Sequence, residues 1–148
     1  MRIVIDVPPK DVPLSGGCEV PVTCSGHLWS EGCLGKYANE RGVYVHHHAG
    51  SIKYVGKTET QDMCFGKRLR REFTEGGSGG RHIYPKLTAL LTPPAIRTYF
   101  FTTEAIRGLV ATRDLVLSDA QRIAIFETVL IQVYQPEFQC TPRPSLSG

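Results

Sequence analysis

The sequence predicts an α/β fold, a small, mainly antiparallel three-stranded sheet flanked by helices. Three observations carry that expectation. Residues 42–56 hold two β-rich runs, Val43-Tyr44-Val45 and Ile52-Lys53-Tyr54-Val55, and the Ala49-Gly50-Ser51 turn between them is short enough to make antiparallel neighbours. The period then changes, because Phe65, Leu69 and Phe73 recur every four residues while Lys67, Arg68, Arg70 and Arg71 occupy the other faces, the pattern of a basic amphipathic helix. Finally, Ser118-Asp119-Ala120-Gln121 fits a capping box at the head of an apolar stripe that Pro136 ends.

The elements follow in order. Arg2 to Val7 alternates as a strand does, and Pro8, Pro9 and Pro13 then break it, so residues 1–41 are expected to be an irregular arm with little helix. Residues 42–140 are the expected main unit. After the basic helix, Thr74 to Arg81 carries too much glycine for regular structure, Lys86 to Leu91 is expected to be a short helix stopped by Pro93-Pro94, and Thr98 to Thr102 a third, buried strand. Glu104 to Leu117 fits no pattern well enough to assign. Residues 141–148 are expected to be a flexible tail.

A chain of 148 residues with a net charge of +3 is one domain of ordinary size, mildly basic. No run is long and apolar enough for a membrane span and no signal peptide is read, so the expected compartment is the cytoplasm. The five cysteines, an odd number, favour reduced thiols or a metal site over a disulfide framework. Cys18, Cys24, His27 and Cys33 are donors of the kind zinc prefers, which makes Zn2+ a candidate there. Their C-x5-C-x2-H-x5-C spacing fits no standard zinc pattern, however, and ordinary buried or loop cysteines are the favoured reading. The histidine run 46–48 is expected to be a surface hairpin tip, with His46 on the side of Tyr44. Gly56-Lys57-Thr58 looks like the end of a phosphate-binding loop, yet Ser51 stands where that motif needs its first glycine, so nucleotide binding is not expected.

Glu127 is the residue that asks for an explanation. Its helical neighbours Ile123, Leu130, Ile131 and Tyr134 are apolar, and a carboxylate among them needs a cation, a metal or a proton. A metal-binding carboxylate at the floor of a cleft, a structural ion pair with an arginine, and a stripe edge that reaches water all satisfy that need.

Assembled, these residues resemble the GIY-YIG nuclease superfamily. Gly42-Val43-Tyr44 is similar to the first signature triplet and Tyr54-Val55-Gly56 to the second. Arg68 stands at the spacing of the family's helix arginine, and Phe126-Glu127-Thr128 with Tyr134, Pro136 and Phe138 resembles the glutamate helix and its sequel. Two positions depart from the pattern: Glu72, where the family often has histidine or tyrosine, and Gln139, where it often has asparagine.

The resemblance implies a GIY-YIG-like fold and a divalent-metal-dependent endonuclease that hydrolyses DNA phosphodiester bonds. It makes Tyr44 the candidate general base, with Lys57 as the cation that lets it act at neutral pH, and Tyr54 the positioner of phosphate or water. Arg68 becomes the phosphate clamp, Glu127 the ligand of Mg2+ or Mn2+, Gln139 an orienting amide and Glu72 a candidate second carboxylate near the ion. Lys67, Arg70, Arg71, Arg81 and Lys86 would supply a salt-sensitive footprint on DNA. A double-strand cut would need two sites, hence a homodimer. The alternatives are a catalytically silent relative that binds DNA or a protein partner, and a structural module whose arm binds zinc.

Overall fold

The computed structural model describes residues 2–10, 14–22, 31–58, 60, 62–73, 84–90 and 96–139. The central hairpin pairs strand β3, Gly42–His48, with strand β4, Ser51–Thr58, through a two-residue turn in which Ala49 (φ 48°) and Gly50 (φ 89°) both adopt positive φ. That backbone twist matches the twist of the strands, which is why so short a loop closes here. A register irregularity between His46 and His47 interrupts the ladder near its tip.

The main sheet has four strands, one more than expected. Strand β5, Ile96–Thr102, pairs with the far side of β3, and strand β2, Cys18–Val22, completes the antiparallel order β2-β5-β3-β4. The described segments within residues 1–41 are thus joined to the sheets. They contribute β2 to the sheet edge, where Pro21 is tolerated because only one side of the strand needs its ladder bonds. They also contribute strand β1, Ile3–Ile5, which pairs with strand β6, Val110–Thr112, and a 3-10 segment Glu31–Asn39 whose Leu34 is buried.

Helices cover both faces. Helix α1, Phe65–Glu72, lays Phe65 and Leu69 on the face that carries Tyr44, Tyr54 and Phe100, joined by Phe73 and Leu87 from the short helix α2, Tyr84–Thr88. Helix α4, Asp119–Tyr134, packs Ile123, Phe126, Leu130 and Tyr134 against Val43, Val45, Val55 and Phe101 on the other face. The capping box at Ser118 is formed in both directions, and Gln135 ends the helix in the left-handed conformation before Pro136. Helix α3, Thr103–Leu109, starts on a Thr102 cap and runs straight into β6. The result is a mixed α+β fold with antiparallel sheets, and no helix among the described residues is long and apolar enough to cross a membrane.

Candidate active site

Strand alternation sends Tyr44 and His46 of β3, with Tyr54 and Gly56 of β4, to the face covered by α1. Tyr44 and Gly56 are direct cross-strand partners, as are His46 and Tyr54. The Tyr44 and Tyr54 ring centres lie 6.3 Å apart, and His46 stacks on Tyr54 at 6.2 Å. Gly56 has no positive φ and is glycine for another reason: a Cβ there would overlap the Tyr44 phenol.

Arg68 and Glu72 come down onto this surface from α1, one helical turn apart. Glu72 is 3% exposed and its two oxygens are divided. Oε2 accepts the Tyr44 hydroxyl, while Oε1 lies 3.0 Å from His46 Nε2. His46 in turn holds Thr98 Oγ1 of β5 at 2.8 Å through Nδ1. Arg68 Nε stands 3.9 Å from Glu72 Oε2, buried and without a hydrogen-bond acceptor of its own, and the guanidinium charge opposes the rise of both phenol pKa values. The Tyr44 oxygen first, and then Glu72, hold the Arg68 pKa above its ordinary value, so the group is cationic throughout the accessible pH range.

The base role expected for Tyr44 is corrected by this geometry. Burial, followed by the Glu72 charge, drives its pKa well above the ordinary phenol value, and its proton is committed to Glu72. Lys57 does not lower it. That ammonium lies on the opposite face of β4, 3.7 Å from Glu127 Oε1. Tyr54 is pushed up to about 12, by burial first and by Glu72 second, with Arg68 opposing and Glu127 adding a smaller upward push. Neither phenol is ionised at neutral pH.

Glu127 is thus at the edge of its stripe, its side chain 17% exposed, with a lysine partner where an arginine was one expectation. It comes from α4, the helix on the sheet face opposite to the one that carries Tyr44. The expected site residues straddle β4, the end strand of the sheet: Tyr54 and Arg68 on the α1 side, Lys57 and Glu127 on the α4 side, with Tyr44 behind. Glu72 faces inward to Tyr44 and His46, away from the position of a second carboxylate beside Glu127.

Gln139 is placed by the chain's return along β4. Its Oε1 accepts the Val55 N–H at 3.1 Å and its Nε2 donates to the Val55 carbonyl at 3.1 Å, so it braces the second triplet from outside. Of the expected DNA-contacting cations, Lys67, Arg70, Arg71 and Lys86 are exposed, and Lys86 also lies over the Phe138 ring at 5.7 Å. Arg81, like the Thr74 to Arg81 loop and the tail, lies outside the described residues.

The histidine run is not a surface tip, since His46 is fully buried and His47 is 8% exposed. His46 is the residue whose importance the sequence understated. Strand alternation put it beside Tyr44, but its partners Glu72 and Thr98 come from elements 26 and 52 residues away. Gly56-Lys57-Thr58 lies within β4 and does not enter a helix, which removes the phosphate-loop likeness. Cys24, His27 and the Cys33 side chain lie outside the described residues, and Cys18 is a free, exposed thiol. Among the described residues no group of three or more His, Cys, Asp or Glu is arranged to hold a metal ion. Elsewhere, a mostly apolar depression of about 270 Å3 lies between Arg2, Val4, Ala111, Thr112 and Arg113, and none of the expected site residues lines it.

Comparison with protein-family models, with curated proteins and with solved structures found no match.

Proposed function

We propose that this chain is a divalent-metal-dependent endonuclease of the GIY-YIG type, hydrolysing DNA phosphodiester bonds along the outer edge of β4. One observation carries the proposal. Arg68 acts electrostatically on both tyrosines from one side of that strand, and Glu127, paired with Lys57 on its other side, acts on Tyr54 as well. A permanent cation, a protonated phenol and a carboxylate are thereby gathered from segments far apart in sequence around a single strand edge.

The chain's own groups divide the work as follows. Arg68, its side chain 32% exposed, binds the scissile phosphate by charge and hydrogen bonds, and its pKa keeps it charged at any working pH. Tyr54 keeps its proton and orients phosphate or water as a hydrogen-bond donor. Lys57 neutralises Glu127 in the free protein and is the nearest acid for a departing oxygen. A lone carboxylate suits Mg2+ or Mn2+, which take one or two protein carboxylates and complete their shells with water and phosphate oxygens. Glu127 would be that ligand, and the ion would supply charge stabilisation at the phosphate. Lys67, Arg70, Arg71 and Lys86 supply non-specific attraction to duplex DNA, and a homodimer would place two sites for a double-strand cut.

A silent, DNA-binding relative is the second reading, favoured by the commitment of the Tyr44 proton to Glu72. Plasmid nicking by the whole chain in Mg2+ or Mn2+ decides between them. The nuclease reading expects nicking that Glu127→Ala and Arg68→Ala each reduce by about 10²–10³-fold. Retained duplex binding without nicking by the parent protein overturns it in favour of the silent relative.

A further inference from the structure

We propose that Glu72, backed by His46 and Thr98, is a positioning residue that fixes the Arg68 guanidinium for phosphate. The inference rests on the reading of Arg68 as the phosphate-binding group, although its structural half stands without it. The chain Thr98–His46–Glu72–Tyr44 crosses from β5 over β3 to α1 and then back to β3, and its links admit a consistent donor assignment. Thr98 donates to Nδ1, Nε2–H donates to Glu72, and the Tyr44 hydroxyl donates to the other carboxylate oxygen. In it the Glu72 carboxylate accepts twice and the imidazole donates from Nε2.

An acceptor for the buried Tyr44 and His46 donors need not carry a charge. Glu72 lies three residues beyond Leu69 on the buried stripe of α1, a place an apolar residue would fill without desolvating a charge. What the carboxylate adds is negative charge beside Arg68 Nε. The titratable or charged groups facing it are Tyr44 and His46 from β3, Tyr54 from β4 and Arg68 from its own helix, and of these only Arg68 carries a permanent charge.

The imidazole is itself immobilised, stacked on Tyr54 and edge-on to Phe73 at 5.9 Å. Arg68 Nε therefore faces, across 3.9 Å, a carboxylate whose own direction is set by two further residues. The outer nitrogens of the guanidinium remain the part that meets solvent.

The test uses the whole chain and Glu72→Gln, which keeps an acceptor for Tyr44 but removes the charge. In the parent, 15N NMR at neutral pH is expected to show His46 as the Nε2–H tautomer and a resolved, slowly exchanging Arg68 Nε–H signal. The variant is expected to lose that Arg68 signal, and its kcat for cleavage of a duplex oligonucleotide is expected to fall about 10–100-fold with KM changing less than about 3-fold. The proposal is overturned by an Nδ1–H tautomer in the parent, by an Arg68 signal that survives the substitution, or by unchanged kcat. If the parent itself does not cut, the nuclease reading fails, while the two parent NMR signals still decide whether Glu72 holds Arg68. Those parent signals also decide the matter should Glu72→Gln not fold.

Discussion

Gly56→Ala is the sharpest probe of how the two signature triplets depend on each other. Gly56 faces Tyr44 across the β3–β4 ladder, and a methyl group there would overlap the phenol oxygen and the ring carbon that bears it. Tyr44 is fully buried between Phe65, His46 and Tyr54, so the ring can move only by disturbing them. Forcing a methyl into a filled core costs about 1–3 kcal/mol. Displacing the phenol also leaves Glu72, a buried carboxylate, short of one donor, which adds about 1–3 kcal/mol. The expected loss is therefore about 2–6 kcal/mol, a fall in Tm of roughly 5–20 °C for a chain of this size.

Gly108→Ala is the matched control. It makes the same change in helix α3 with nothing within 4 Å of the new atom, and it is expected to stabilise by about 0.5–1 kcal/mol. Thermal and urea unfolding followed by circular dichroism measure both. A Gly56→Ala loss below about 0.5 kcal/mol, within the ordinary surface range, would refute the packing argument.

Two other outcomes follow from the same coordinates. Gln139→Leu removes both amide contacts to Val55 and is expected to cost about 1–2 kcal/mol and to speed exchange of the Val55 amide proton by tenfold or more, read by native-state hydrogen exchange; an unchanged Val55 rate would contradict the bracing role. Alkaline stability should report the buried phenols. Tyr54 and Tyr134 are each pushed up to about 12 by burial, and Tyr44 is also raised, so their contribution is fully present below the ordinary phenol pKa near 10 and disappears as pH climbs towards 12. Unfolding free energy measured between pH 8 and pH 12 should stay flat with respect to these groups up to about 10 and then decline, and a rise above 10 would contradict the assignment.

The sequence made the hairpin, α1 and α4 legible because each carries a local device: a glycine-bearing turn, a four-residue apolar repeat, a capping box. It left residues 104–117 unreadable for an equally local reason. A seven-residue helix passes straight into a three-residue strand there, and neither is long enough to display a period. Strand β2 stayed hidden because proline inside a five-residue run reads as a breaker until its edge position is known. The site was half legible. Alternation placed Tyr44 with His46 and periodicity singled out Glu127, but which face of β4 each would meet depends on how two helices pack, and that is tertiary information. From the sequence Glu72 is a candidate second carboxylate near an ion. In the fold its face of α1 is roofed by the sheet, and the same residue becomes an interior acceptor.

The return of the chain beyond α4 has a consequence for how this molecule behaves among copies of itself. Strand β4 ends the sheet, and an uncovered end strand invites extension by any other extended polypeptide. Here Glu137 N–H reaches the Ile52 carbonyl at 3.2 Å, Phe138 N–H reaches the Lys53 carbonyl at 2.7 Å, and the Gln139 amide saturates Val55. Three consecutive residues thus imitate a fifth strand without being one, blunting that border against amyloid-like stacking.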